Sequence, residues 1–160
     1  MENILNKEPV LRVQKKLDEY NKDLKAVVLN SSARTAQEAA ESLNTEVGSI
    51  VKSLLFKTEN SFVLCLVSGD KRCSLNKLKK IKVQKDISMA SPDQVKEVTG
   101  FTIGGVSPIG HKKDVEIFID KELSRFEYIY AAAGHPNCIF KIDFDNLINL
   151  TKGSIKNITE

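Results

Sequence analysis

Apolar positions follow helical, alternating or unbroken spacing along this chain, and each spacing predicts a different element. Val13, Leu17 and Tyr20 stand at helical spacing within Arg12 to Tyr20, which predicts an amphipathic first helix. Thr35-Ala-Gln-Glu-Ala-Ala-Glu-Ser-Leu43 is rich in good helix formers, with Ser32 or Thr35 placed to cap it. Val47 to Ile50 predicts a further helical turn. Helices also begin at Ser74, running through Lys80, and at Ser91, with Pro92 in the first helical position and the run continuing to Val98. Asp143 can cap a last helix ending at Leu150.

Ala26 to Leu29, Val51 to Phe56, Val115 to Asp120, Glu127 to Ala133 and Cys138 to Ile142 read as strands. The last two flank a turn at Gly134-His-Pro-Asn137. Phe62-Val-Leu-Cys-Leu-Val67 has no polar alternation, which marks a strand covered on both faces. Strands and helices interleave too irregularly for a doubly wound sheet. The expectation is one α/β (α+β) domain over residues 1–160, with a mixed central sheet or partly closed barrel surrounded by helices.

The bulk numbers narrow the classes. At 160 residues, with 41% hydrophobic and 28% charged content, the chain suits one soluble globular domain with a sizeable core. No stretch approaches the roughly 20 apolar residues of a membrane span, and the N-terminus has neither the basic nor the apolar region of a secretory signal. Cys65, Cys73 and Cys138 form an odd set without a CxxC, which fits free thiols in a reducing cytoplasm. Net charge is only +3, yet Lys71, Arg72, Lys77, Lys79, Lys80, Lys82 and Lys85 follow one another with no acidic residue between them. Such a run is either a solvated helix face or a patch that attracts phosphate backbones.

Two features suggest chemistry. Thr99-Gly-Phe-Thr-Ile-Gly-Gly-Val-Ser-Pro-Ile-Gly-His111 gathers Gly100, Gly104, Gly105 and Gly110 around Pro108. Glycines let a ligand approach main-chain N–H groups, and the proline stiffens the loop. The run reads equally as a plain connection between elements. Lys52 shares a strand face with Ile50, Leu54 and Phe56. An ammonium there needs an anion at the bottom of a cleft, or must snorkel to solvent.

Asp70 and Asp120 each end a strand, where capping and site roles are both open. His135 and Cys138 have ligand-like spacing without a second pair, so no metal is expected. A Cys–His nucleophile has no local motif to support it. No P-loop or GxGxxG is present, and no cofactor is implied.

Several segments, in order, resemble the YbaK/ProX family of free-standing aminoacyl-tRNA deacylases, which is related to the editing insertion of bacterial prolyl-tRNA synthetases. They are Thr35-Ala-Gln-Glu-Ala-Ala40, Ile50-Val-Lys-Ser-Leu54, Val67-Ser-Gly-Asp70, and Thr99 to Pro108 with Gly110. Ile119-Asp120, Ala132-Ala-Gly134 and the closing strand around Phe140 follow. The similarity runs from about Val10 onward. It implies release of a wrong small amino acid, such as cysteine or alanine, from a tRNA, most often that for proline, by hydrolysis or, for a cysteinyl ester, by attack of its own thiol.

By this resemblance Lys52, Gly104, Gly105, Pro108 and Gly134 are the expected catalytic positions. Thr35, Phe56, Ser68, Gly69, Ser107, Asp120, Ala133 and His135 are the expected substrate-binding positions. Amides from Gly104 to Ser107 and from Ala133 to Gly134 would hold the ester carbonyl. The implied partners are the acceptor end of an aminoacyl-tRNA and, transiently, prolyl-tRNA synthetase, with no membrane and a monomer or weak dimer. A catalytically silent tRNA-binding module and a metal or thiol hydrolase are the alternative classes.

Overall fold

The computed structural model describes residues 3–31 and 33–160, so Ser32, one of the two candidate caps, lies outside the described residues. Helix α1 (Glu8–Tyr20) begins with Pro9 in its first turn and buries Val10, Val13 and Leu17. Thr35 caps α2 (Ala36–Leu43), its Oγ1 accepting the Glu38 N–H at 3.1 Å. Ser74 caps α3 (Leu75–Lys82), and Ser91 forms a reciprocal capping box with Gln94 on α4 (Pro92–Thr99). Asp143 precedes α5 (Phe144–Thr151) but does not cap its backbone. Its carboxylate instead accepts from the Asn146 side chain at 2.6 Å, so that expectation is corrected.

The strands are β1 (Val27–Val28), β2 (Val51–Lys57), β3 (Phe62–Ser68), β4 (Ser88–Met89), β5 (Glu116–Asp120), β6 (Ile129–His135), β7 (Cys138–Ile142) and β8 (Ser154–Lys156). They form a five-stranded sheet in the order β4-β2-β3-β5-β8 and a three-stranded sheet in the order β1-β7-β6. β2 runs antiparallel to β3 and β4, whereas β3, β5 and β8 are parallel, so the larger sheet is mixed. β6 runs two residues further than its apolar pattern indicates. It continues through Gly134 and His135 with a register irregularity after Ala132.

The two sheets meet edge to edge through a parallel bridge between Ile50 and Tyr130. β3 separates two apolar clusters. Leu64 and Leu66 face the main core with α1, α4, β6 and β7, while Val63, Cys65 and Val67 pack on Leu78 of α3. Both faces are therefore covered, as the unbroken apolar run requires. A smaller cluster of Ala39, Ala40, Ile50 and Ile139 seats α2 beside the junction of the sheets.

Candidate active site

Beyond the Ile50–Tyr130 bridge the sheets diverge, and a cavity of about 320 Å³ fills the wedge. This lies at the small end of the range for ligand pockets. One side is the edge of β2 from Val51 to Leu55; the other is Tyr130 and Ala132 of β6 with Ile139 of β7. Gly104 and Val106 come from the glycine loop, Arg34 and Thr35 from the start of α2, and Met89 and Ala90 from β4 and its end. Met89 (58% exposed) and Ile103 (61% exposed) leave an apolar lip open to solvent at its edge.

Lys52 lines this cavity and is half-buried. Its Nζ donates to the carbonyl of Lys71, at the head of the basic segment. Burial pulls its pKa below the ordinary lysine value; the nearby Cys73 and Asp70 partly oppose this, and Arg72 adds to it. Asp70 is not available as a direct counter-ion. Its carboxylate is held by Arg125 at 2.7 and 3.1 Å and by Ser68 Oγ at 2.9 Å. The Arg125 guanidinium and these hydrogen bonds bring its pKa down to about 2. In its ammonium form the lysine has hydrogen-bonding capacity to spare beyond the Lys71 carbonyl, because an ammonium has three donors.

The glycine loop contributes unevenly. Gly104 adopts φ +93°, a left-handed conformation suited to glycine, and lies close beside Pro136, which also lines the cavity. Gly105 packs on the backbone of His135, and its N–H is already donated to the Thr102 carbonyl at 3.0 Å. The N–H groups of Gly104 and Val106 meet no protein acceptor among the described residues, and both residues line the cavity.

Ser107 is fully buried, its Oγ accepting from the Ile109 N–H at 3.3 Å. Pro108 lies on a different groove, beside His111 and α1. His111 donates Nε2–H to the Ser107 carbonyl at 2.7 Å and packs edge-on against Phe101, which fastens the end of the loop. Burial lowers its pKa from the ordinary histidine value.

The structure therefore brings Lys52, Gly104 and Thr35 to one cavity. Gly134 faces away from it: with φ +94°, a Cβ there would stand 2.7 Å from the Pro9 carbonyl, so this glycine admits the start of α1. Ala133 is buried in the main core and Phe56 in the α3-side cluster. Ser68 donates to the Gly48 carbonyl at 2.5 Å, and Gly69 packs beneath the carbonyls of Val47 and Ile50; both support the turn that carries Asp70. Asp120 is buried behind the sheet, accepting from Thr159 Oγ1 at 3.3 Å, and burial pushes its pKa up. His135 stands at the junction with Gly105 and accepts the Asn137 N–H on Nδ1. Arg34, Ser53, Tyr130, Met89 and Ile103 also line the cavity without having been singled out from the sequence. Arg34 directly precedes the Thr35 segment and Ser53 directly follows Lys52, so adjacency was the available signal.

Residues 30–150 match the family described as the aminoacyl-tRNA editing domain. The chain belongs to that family. It is 32% identical over 125 residues, 78% of its own length and 79% of the other's, to an uncharacterized protein, YwhH, of Bacillus subtilis (strain 168). It is 38% identical over 96 residues to a proline–tRNA ligase of Thermosipho africanus (strain TCF52B), matching 60% of this chain but only 17% of that enzyme.

Among solved structures, one described as a candidate trans-editing enzyme for prolyl tRNA synthetase superposes with a TM-score of 0.91 at 37% identity, covering 96% of this chain and 98% of the other. The chain thereby shares this fold, a mixed central sheet flanked by helices, over 96% of its length. Editing domains of this family act in translation as hydrolases of aminoacyl-tRNA, and the chain shares their ancestry with the synthetase insertion.

Proposed function

We propose that this protein is a free-standing deacylase that removes a small, wrongly attached amino acid from the acceptor end of tRNA(Pro). The observation that carries the reading is that Lys52, Gly104 and Val106 line one cavity of aminoacyl size. Kinship with proline–tRNA ligases and with a trans-editing candidate supports the choice of tRNA.

In this mechanism Lys52 holds the terminal phosphate or ribose oxygens, which places the ester against the glycine loop. The Gly104 and Val106 amides receive the negative charge that develops on the ester oxygen as water attacks the carbonyl carbon. Losing one such donor typically costs about 2.7–4 kcal/mol of barrier. A neighbouring ribose hydroxyl assists the water. The acyl carbon–oxygen bond then breaks, the ribose oxygen takes up a proton, and the free amino acid leaves. An aminoacyl ester is already activated, so no side-chain nucleophile is needed.

The decisive experiment incubates the protein with tRNA(Pro) carrying labelled alanine, cysteine or serine and follows loss of the ester. Release of at least one of these well above the buffer rate is expected, with correctly charged Pro-tRNA(Pro) spared. Binding of the tRNA with no ester loss from any of them would overturn the reading in favour of a silent binding module.

A further inference from the structure

We propose that Ser53 sets the amino-acid preference of this cavity by hydrogen bonding a hydroxyl or thiol on the aminoacyl side chain, an inference that rests on the deacylase reading above. Ser53 lines the cavity, and its Oγ, covered in the free protein, has no hydrogen-bond partner among the described residues. Buried polar atoms in native proteins are nearly always paired, so an unpaired hydroxyl on a cavity wall points to a ligand group. Asp120 Oδ2 is the other such atom among the described residues, but it lies behind the sheet and lines no part of this cavity.

The strand geometry explains why Ser53 is left unpaired. The Ala90 N–H donates to the Leu55 carbonyl at 3.0 Å. Along a strand, successive residues turn their N–H and C=O groups to opposite edges, so those of Ser53 point the same way as those of Leu55. No strand reaches them, because β2 is bracketed there by the Ile50–Tyr130 bridge on one side and the Phe56–Met89 pairing on the other. One residue therefore offers the cavity a donor N–H, an acceptor C=O and, on rotation about its Cα–Cβ bond, a hydroxyl.

The surroundings say what the hydroxyl would read. Ser53 shares a strand face with Val51 and Leu55, opposite to Lys52, and Ala90, Val95, Val106 and Ala132 are among the small aliphatic residues that line the same cavity. The charged end of the site and its small aliphatic end are thus split between adjacent residues of β2. An alanyl methyl group in this aliphatic end leaves the Ser53 hydroxyl unpaired. A seryl hydroxyl or cysteinyl thiol satisfies it. A site built to hydrogen bond a polar substrate group discriminates against the analogue that lacks it, whereas an apolar wall alone discriminates poorly.

The test measures kcat/KM for Ser-tRNA(Pro) and Ala-tRNA(Pro) with the wild-type protein and with Ser53→Ala. In parallel, equilibrium binding is measured for non-hydrolysable seryl and alanyl amides of 3′-amino-3′-deoxyadenosine. The wild type should favour the seryl member by about tenfold or more, and Ser53→Ala should bring that ratio close to unity. The melting temperature of Ser53→Ala should be unchanged or higher, because the deleted hydroxyl makes no bond in the free protein. Ester hydrolysis with a seryl-to-alanyl ratio that Ser53→Ala does not move overturns the proposal and leaves the deacylase reading standing. A Ser53-dependent preference in amide binding without hydrolysis by the wild type supports the subsite and overturns the deacylase. Failure of the wild type to bind either amide, together with no ester loss, overturns both.

Discussion

Lys52 is costly to hold where it is. Its ammonium is half-buried against one carbonyl, and burial lowers its pKa. A lysine whose folded pKa lies below its unfolded value binds fewer protons folded than unfolded across the interval between them, so stability rises with pH in that window. Lys52→Met should consequently leave the melting temperature unchanged or raised while abolishing deacylation. Turnover near the wild-type rate would remove the lysine from the mechanism.

Because the ammonium is the working form, wild-type kcat/KM should fall on the alkaline side at a pH below that at which a free lysine titrates. This lysine was legible in the sequence because strand alternation set a charge among Ile50, Leu54 and Phe56. Ser53 was not, since a serine on the opposite face looks harmless until the strand beside it is seen to be missing. Gly134 and Pro108 share local chemistry with Gly104, but what each faces is decided by α1, which no local pattern reveals.

At the level of elements, the caps at Thr35, Ser74 and Ser91 were readable, whereas the short strands β4 and β8 were not. Thr35, Ser74 and Ser91 act through bonds to residues three positions away, so the information is local. β4 and β8 exist because an edge of the larger sheet was open to them; two or three residues carry no periodicity of their own. α3 ends on a residue that its fold does not favour. Val83 caps it with φ 54°, a conformation hostile to a β-branched side chain, and is 88% exposed. Val83→Gly should therefore stabilise the protein by about 1 kcal/mol, the strain of a left-handed L-residue less the added freedom of the unfolded glycine. Thermal unfolding should show a rise of about 2–4 °C. A fall would mean that the valine makes a contact outweighing its backbone strain.

For the whole molecule, the basic run and the cavity touch, because the Lys71 carbonyl that holds Lys52 begins the positive segment. If that segment receives the phosphates of an acceptor stem, log kcat/KM should fall linearly with log salt, with a slope of about −2 to −3 for three contacts. Replacing exposed Arg72 or Lys80 by alanine should reduce the slope by about one each; a flat salt response in the wild type would leave α3 as an ordinary solvated helix.

If the basic run docks a stem, that same Lys71 carbonyl makes the docking platform and the substrate-holding lysine one mechanical unit. Anchoring a stem on the platform fixes the very peptide group from which the ammonium hangs, so grip on distant nucleotides is converted into alignment at the scissile bond. An aminoacyl-adenosine without its stem should accordingly be released slowly even at saturation, its deficit appearing in kcat as well as in KM. The protein would then read the body of the nucleic acid and the cargo at its tip through a single backbone oxygen.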